Sequence, residues 1–229
     1  MQAAILAGGL GTRLHPLTEK VPKALTPVNG RPFIEYQLEL LRKGGVDDFV
    51  LCVGNLGEAI ERYLGDGRAF GCSIAYSYDG PTLLGPAGAL RRASSLLHER
   101  FFVTYGDAYL RAPYGSLMGA LVASEKLAMM AVYRNSGRFG KSDIVVRRGS
   151  VVRYDKARGS TGMEWINYGV TALHKQALEL IPAVGFCDEE AFYGSLIRRG
   201  ELGAFEVRAR FYEIGTPASL SEFEAFIGK

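Results

Sequence analysis

Cysteine and histidine are both scarce. There are three of each in 229 residues. Cys52, Cys72 and Cys187 are far apart and odd in number, so they make no disulfide framework and suit a reduced compartment. His15, His98 and His174 are equally scattered, and no zinc-ligand spacing appears. No stretch approaches the roughly 18 apolar residues of a membrane span. No basic region precedes the apolar run at the N-terminus. Charge of one sign is missing too: 27 basic against 24 acidic residues leave a net +3, with no run of like charges. That balance argues against nucleic acid and membrane surfaces as partners. There is no internal repeat, low-complexity segment or clear linker. A cytoplasmic location is the expectation.

What is present is an alternation of strand-like and helix-like segments. Ala3–Ala7 reads as a buried strand. Phe33, Leu38 and Leu41 form an apolar stripe between Pro32 and the Gly44-Gly45 stop, as in a helix. Asp48–Val53, Cys72–Tyr78 and Phe101–Tyr105 read as further strands, with helical patterns between them. From about Lys141 the pattern turns to strand after strand. Helices are expected again at "HKQALELI", "EEAFYGSLIRRG" and "PASLSEFEAFI", with strands at "AFEVRA" and "RFYEI". Such alternation implies βαβ units and an α/β domain with a mostly parallel central sheet, covered by helices on both faces. One domain over 1–229 is expected, in two parts that meet at about 135–136.

The first strand breaks into "GGLGTR". Glycines let backbone amides approach an anion, and ligands of open parallel sheets lie at the carboxyl ends of the strands. Arg13 adds a forked donor and Lys23 a second cation. Two cations and a glycine loop suit a polyphosphate. The stretch is not a Walker A loop, and Leu14 stands where the dinucleotide fingerprint needs its third glycine. On these residues alone, a plain tight turn with a surface arginine stays open.

The whole segment, "LAGGLGTRLHPLTEKVPKALTPVNGRPFIEYQLELL", resembles the opening of the sugar-1-phosphate nucleotidyltransferases. Leu6 to Leu14 match L-A-G-G-x-G-T-R-L, and Pro22-Lys23 and Gly30-Arg31-Pro32 follow at similar spacing. The resemblance implies a three-layer, Rossmann-like fold of glycosyltransferase-A type. It implies nucleotide contacts from Leu6, Ala7, Gly8, Gly9, Gly11 and Thr12, with Arg13, Lys23 and Asp107 carrying the catalysis. "LLGPAGALRRA" resembles the segment near the base, with Gly85 and Gly88 passing close to it and Pro86 replacing a common threonine.

Asp107, just past a strand end, matches the family's metal-binding aspartate. Glu213 in "FYEIGTP" matches a second acidic position where relatives usually carry aspartate. Lys156, after Asp155, resembles the residue that holds the sugar phosphate. "EWINYGVTAL" resembles the sugar-pocket segment, with Glu164, Asn167 and Gly169 as candidates.

The resemblance implies Mg²⁺ as cofactor and a nucleoside triphosphate and a sugar 1-phosphate as partners, with a homo-oligomer left open. The compact chain is similar to heptose- and mannose-1-phosphate guanylyltransferases. A UTP- or CTP-dependent enzyme, or a non-catalytic module that binds a nucleotide-sugar, are the alternatives.

Overall fold

The computed structural model describes residues 1–156 and 162–228. The chain begins with β1 (Gln2–Leu6), a loop, and a two-stranded ribbon of β2 (Pro27–Val28) and β3 (Arg31–Pro32). Then come α1 (Phe33–Lys43), β4 (Asp48–Val53), α2 (Gly57–Leu64), β5 (Ser73–Tyr78), α3 (Gly85–Arg92) and β6 (Arg100–Tyr105). β7 (Ala108–Leu110), α4 (Tyr114–Ser124), β8 (Ala128–Arg134), β9 (Ile144–Arg147), β10 (Ser150–Tyr154) and β11 (Trp165–His174) follow. The chain closes with α5 (Glu189–Arg198), β12 (Leu202–Glu206), β13 (Phe211–Glu213) and α6 (Pro217–Ile227). The stretch "HKQALELI" does not form an α-helix. β11 absorbs His174, and Lys175–Leu180 forms 3₁₀ turns.

Nine strands form one sheet in the order β5-β4-β1-β6-β11-β8-β12-β10-β9. β5, β4, β1 and β6 are parallel. β11 then enters antiparallel to β6 and β8, and only the β8–β12 pair beyond it is parallel. The second half of the sheet is therefore mixed, because the strand-rich middle of the chain is joined by turns rather than by helical crossovers.

Side chains alternate across each strand. Ala3, Ile5, Phe49, Leu51, Phe102 and Ala131 meet α1, α2 and α4 on one face. Ala4, Val50, Cys52, Val103 and Met130 meet α3, α5 and the 175–180 turns on the other. Both faces are covered, which accounts for the near-continuous apolar strands in the sequence. α5 and α6 start where Asp188 and Thr216 accept hydrogen bonds from the amides of Ala191 and Ser219. A separate aromatic cluster of Phe33, Phe223, Tyr109 and Tyr212 ties α6 and β13 to α1.

From β1 the chain moves outward to β4 and β5, then returns to place β6 on the other side of β1. The gap between the carboxyl ends of β1 and β6 is a topological switch point, where open α/β sheets take ligands.

Candidate active site

The loops leaving β1 and β6 lie side by side. Leu6 and Tyr105 are partners in the ladder, and the Gly106 amide donates to the Leu6 carbonyl at 2.9 Å. A side chain at Gly106 would press on Ala7. The turn from β6 to β7 is held from beneath by Gln37 of α1, whose amide nitrogen donates to the carbonyls of Tyr105 (2.7 Å) and Ala108 (2.9 Å). Asp107 sits between those two clamped carbonyls.

A cleft of about 400 Å³ opens here. Leu6, Ala7, Gly8, Gly9, Gly11, Thr12 and Arg13 line one wall, and Gly85 and Pro86 another. Lys23 and Asp107 also line the cleft. The glycine loop has little room for side chains where it matters. A Cβ at Gly8 would come within 3.1 Å of the Gly54 amide nitrogen, and Gly11 takes the left-handed φ of +65°. The Thr18 hydroxyl donates to the Gly11 carbonyl at 2.7 Å and pins the loop. Arg13 is exposed at the rim.

The Lys23 ammonium and the Asp107 carboxylate pair at 2.5 Å, with side chains 16% and 24% exposed. Glu213 reaches the same place by another route. β13 pairs with β7 so that Glu213 lies opposite Ala108, and the Ile214 amide donates to the Asp107 carbonyl at 3.0 Å. The side chain of Glu213 curls back against Gly215. The backbones of Asp107 and Glu213 are thus adjacent, and carboxylate oxygens are the donor type for a hard cation that keeps water and phosphate as its other ligands. Among the described residues no group of three or more His, Cys, Asp or Glu converges as an all-protein metal cage.

Lys156 follows β10 and pairs with Glu189 of α5. Burial lowers the pKa of its ammonium. The neighbouring charges of Asp143 and Asp107 oppose that shift and Arg13 adds to it, so Lys156 belongs to the same electrostatic cluster as the glycine loop. Asn167 and Gly169 shape a local break in β11. The Asn167 side-chain oxygen accepts from the Gly169 amide (3.0 Å), and the Asn167 amide donates to Asp143 (3.0 Å). Gly169 has a φ of +101°, and its carbonyl accepts from the Thr104 hydroxyl.

Among the candidates, Gly88, Lys156, Glu164, Asn167, Gly169 and Glu213 lie outside the cleft lining. Glu164 is exposed and pairs with Arg134 at 3.1 Å. Gly88 faces Leu84 and the 185–187 loop, and its amide donates to the Cys187 carbonyl at 3.2 Å. The Ala87 amide donates to the same carbonyl, so the 185–187 loop caps the start of α3. Pro86 lies in that first turn, where a missing N–H costs nothing.

The sequence reading missed Asp79, Glu189 and Phe186. Asp79 lines the cleft at the end of β5. It is buried and accepts from the Leu84 amide at 3.3 Å, and burial raises its carboxyl pKa. Its position just past a strand end, like that of Asp107, was the available signal. Phe186 is 69% exposed and lines the cleft from a loop with no pattern to mark it. Burial pushes the Glu189 carboxyl up to about 7, with the charge of Glu190 adding to the shift.

A glycine loop, two cations and the Asp107 carboxylate meet at the switch point, as the resemblance leads one to expect. The family model described as Nucleotidyl transferase matches residues 2–149. The chain belongs to that family. The D-glycero-alpha-D-manno-heptose 1-phosphate guanylyltransferase of Aneurinibacillus thermoaerophilus is 30% identical over 219 residues, 95% of this chain and 94% of that one. The UTP–glucose-1-phosphate uridylyltransferase of Synechocystis sp. is 40% identical over 121 residues, 48% of this chain and 31% of that one. The alignment therefore spans less than a third of the Synechocystis relative's length. Among solved structures, HddC from Yersinia pseudotuberculosis superposes with a TM-score of 0.82 at 23% identity, covering 99% of each chain. That likeness establishes the three-layer fold. Among the described residues no helix is long and apolar enough to cross a membrane.

Proposed function

We propose that the protein is a sugar-1-phosphate nucleotidyltransferase, which moves a nucleoside monophosphate from a triphosphate to a sugar 1-phosphate and releases pyrophosphate. The observation that carries this is the convergence of the Gly8–Thr12 loop, Arg13, Lys23 and Asp107 on one cleft. The near full-length likeness to the Aneurinibacillus guanylyltransferase supports GTP with a heptose or mannose 1-phosphate as the pair.

The reaction needs no general base. A sugar 1-phosphate has a second pKa of about 6, so its oxygen is already anionic at neutral pH. That oxygen attacks the α-phosphorus, the bond from the α-phosphorus to the bridging oxygen of the β-phosphate breaks, and pyrophosphate leaves with the electron pair. The obstacle is holding two polyanions together, which is a matter of position and charge. The loop amides seat the triphosphate. Arg13 and Lys23 neutralise the charge that builds on the leaving pyrophosphate. Lys156 holds the attacking phosphate. Asp107, with Glu213 beside it, is suited to hold Mg²⁺, which when bound would screen the two substrates from each other.

Asp79 favours guanine at the base end. Guanine offers two adjacent donors, N1–H and the N2 amino group, that match one carboxylate. Uracil offers a single donor flanked by carbonyl oxygens, which a carboxylate repels. The Synechocystis likeness makes UTP the second arm of the test. The protein is mixed with each of four triphosphates, Mg²⁺ and a panel of hexose and heptose 1-phosphates, and pyrophosphate release is followed. The reading expects turnover with GTP and a manno-configured phosphate. Tight nucleotide-sugar binding without pyrophosphate from any pair would make the protein a binding module instead.

A further inference from the structure

The transfer chemistry leaves one buried carboxylate without a role. Glu189 lies in the first turn of α5 and is 8% exposed. One of its oxygens accepts a short hydrogen bond from the Tyr105 hydroxyl. The other accepts from the Tyr154 hydroxyl at 3.1 Å and pairs with the Lys156 ammonium. That ammonium lies 5.7 Å from the centre of the Tyr105 ring. Tyr105 lines the cleft, two residues before Asp107.

The anchor is stiff. The Tyr154 ring packs edge-on against Tyr193 at 5.5 Å, and the Tyr193 hydroxyl hydrogen-bonds to Thr171 of β11. The Asp188 cap secures the turn that carries Glu189. The lysine side chain is not buried to the same degree: it is 52% exposed against 10% for the glutamate side chain. One end of the ion pair is therefore set in the core, while the other is half exposed beside Tyr105, which lines the cleft. A free lysine has four rotatable bonds, and ordering it on substrate arrival costs conformational entropy. A lysine already tied beside the cleft avoids most of that cost, which is the general logic of preorganisation.

We propose that Glu189, itself anchored by Tyr105 and Tyr154, is a positioning residue that holds the Lys156 ammonium at the Asp107 end of the cleft, where the second phosphate must arrive. This rests on Lys156 being the sugar-phosphate contact, as proposed above.

The test has a kinetic arm and one that needs no turnover. At about pH 8, where the Glu189 carboxylate is ionised, Glu189→Gln keeps the shape and can still hydrogen-bond both tyrosines. With the preferred substrates, its KM for the sugar 1-phosphate is expected to rise on the order of tenfold. The KM for the triphosphate should stay within about twofold. In a Lys156→Ala background the same change should have almost no further effect, because the glutamate acts through the lysine.

In the second arm, substrate-free protein is labelled briefly with an amine-reactive ester, and Lys156 is quantified by peptide mass spectrometry. Glu189→Gln should speed that labelling several-fold, relative to Lys20 in the same molecule. Tyr154→Phe removes one anchor bond and should speed it less, which keeps the test open if the first variant does not fold. Unchanged labelling in whichever variants fold, or a kinetic effect of equal size with and without Lys156, overturns the proposal. Absence of turnover in the wild type together with faster labelling in Glu189→Gln would overturn the transferase reading and leave the tether standing.

Discussion

At the residue scale, Asp107 is the most exposed to test. It combines a carboxylate, a lysine partner and a clamped turn. Asp107→Ala should lower kcat by on the order of 10²-fold or more while circular dichroism stays unchanged. Near-normal turnover would remove Asp107 from the chemistry. Glu213 is one methylene longer than the aspartate that the resemblance leads one to expect at this position. Glu213→Asp should therefore shift the Mg²⁺ titration of activity, and an unchanged titration would leave it a structural role only. Asp79→Asn replaces an acceptor-only group by one that also donates. The kcat/KM for GTP should fall about 10- to 100-fold with little loss for UTP, because a good bidentate contact is worth about 1–3 kcal/mol.

Glu189 gives a pH prediction. Its folded-state pKa, about 7, lies above the usual 4.5. Between those values the folded chain keeps a proton that the unfolded chain gives up. The stability this group contributes is therefore complete below the lower value and is lost as pH rises through the upper one. Thermal melts of the wild type should show Tm falling from about pH 5 to about pH 8, and Glu189→Gln should flatten that fall.

At the scale of elements, the loops work because helices and neighbouring loops hold them. Gln37 on α1 supports the Asp107 turn through two carbonyls. Gln37→Leu leaves both buried carbonyls short of a donor, at a cost of about 1–3 kcal/mol. Denaturant melts should record that loss together with a lower kcat. Gly85 opens α3 with a φ of +75°, and a Cβ there would lie 2.6 Å from the Cys187 carbonyl oxygen.

The strands and most helices were legible in the sequence because apolar alternation and glycine stops are local signals. The Gly-loop residues were legible for a related reason: the motif, the strand before it and the cations are contiguous or nearly so. Gln37, Asp79 and Glu189 were not. Gln37 and Glu189 act through partners far along the chain, whereas Asp79 accepts from Leu84 only five residues on and was overlooked despite its place past a strand end; nothing in the surrounding residues distinguishes Glu189 from its exposed neighbour Glu190. The same limit explains Glu164, whose pairing with Arg134 across the β8–β11 ladder is a tertiary fact.

At the scale of the whole molecule, one mixed sheet carries both groups of candidate site residues. Its parallel half delivers the glycine loop and Asp107 at the switch point, and its mixed half carries Lys156, paired to Glu189 beside Tyr105, and the Asn167–Gly169 break, where the Gly169 carbonyl accepts from Thr104 of β6. On the proposed reading, the fold would set two anion sites near Asp107 and leave the chemistry to the substrates' own phosphates. A crystal structure of the complex with a non-hydrolysable GTP analogue and Mg²⁺ tests this most directly. The account predicts the triphosphate lying along the amides of Gly8 to Thr12, with Arg13 and Lys23 turned onto it and Asp107 beside the α-phosphate. Phosphates lodged away from that loop, with Arg13 and Lys23 pointing into solvent, would contradict it.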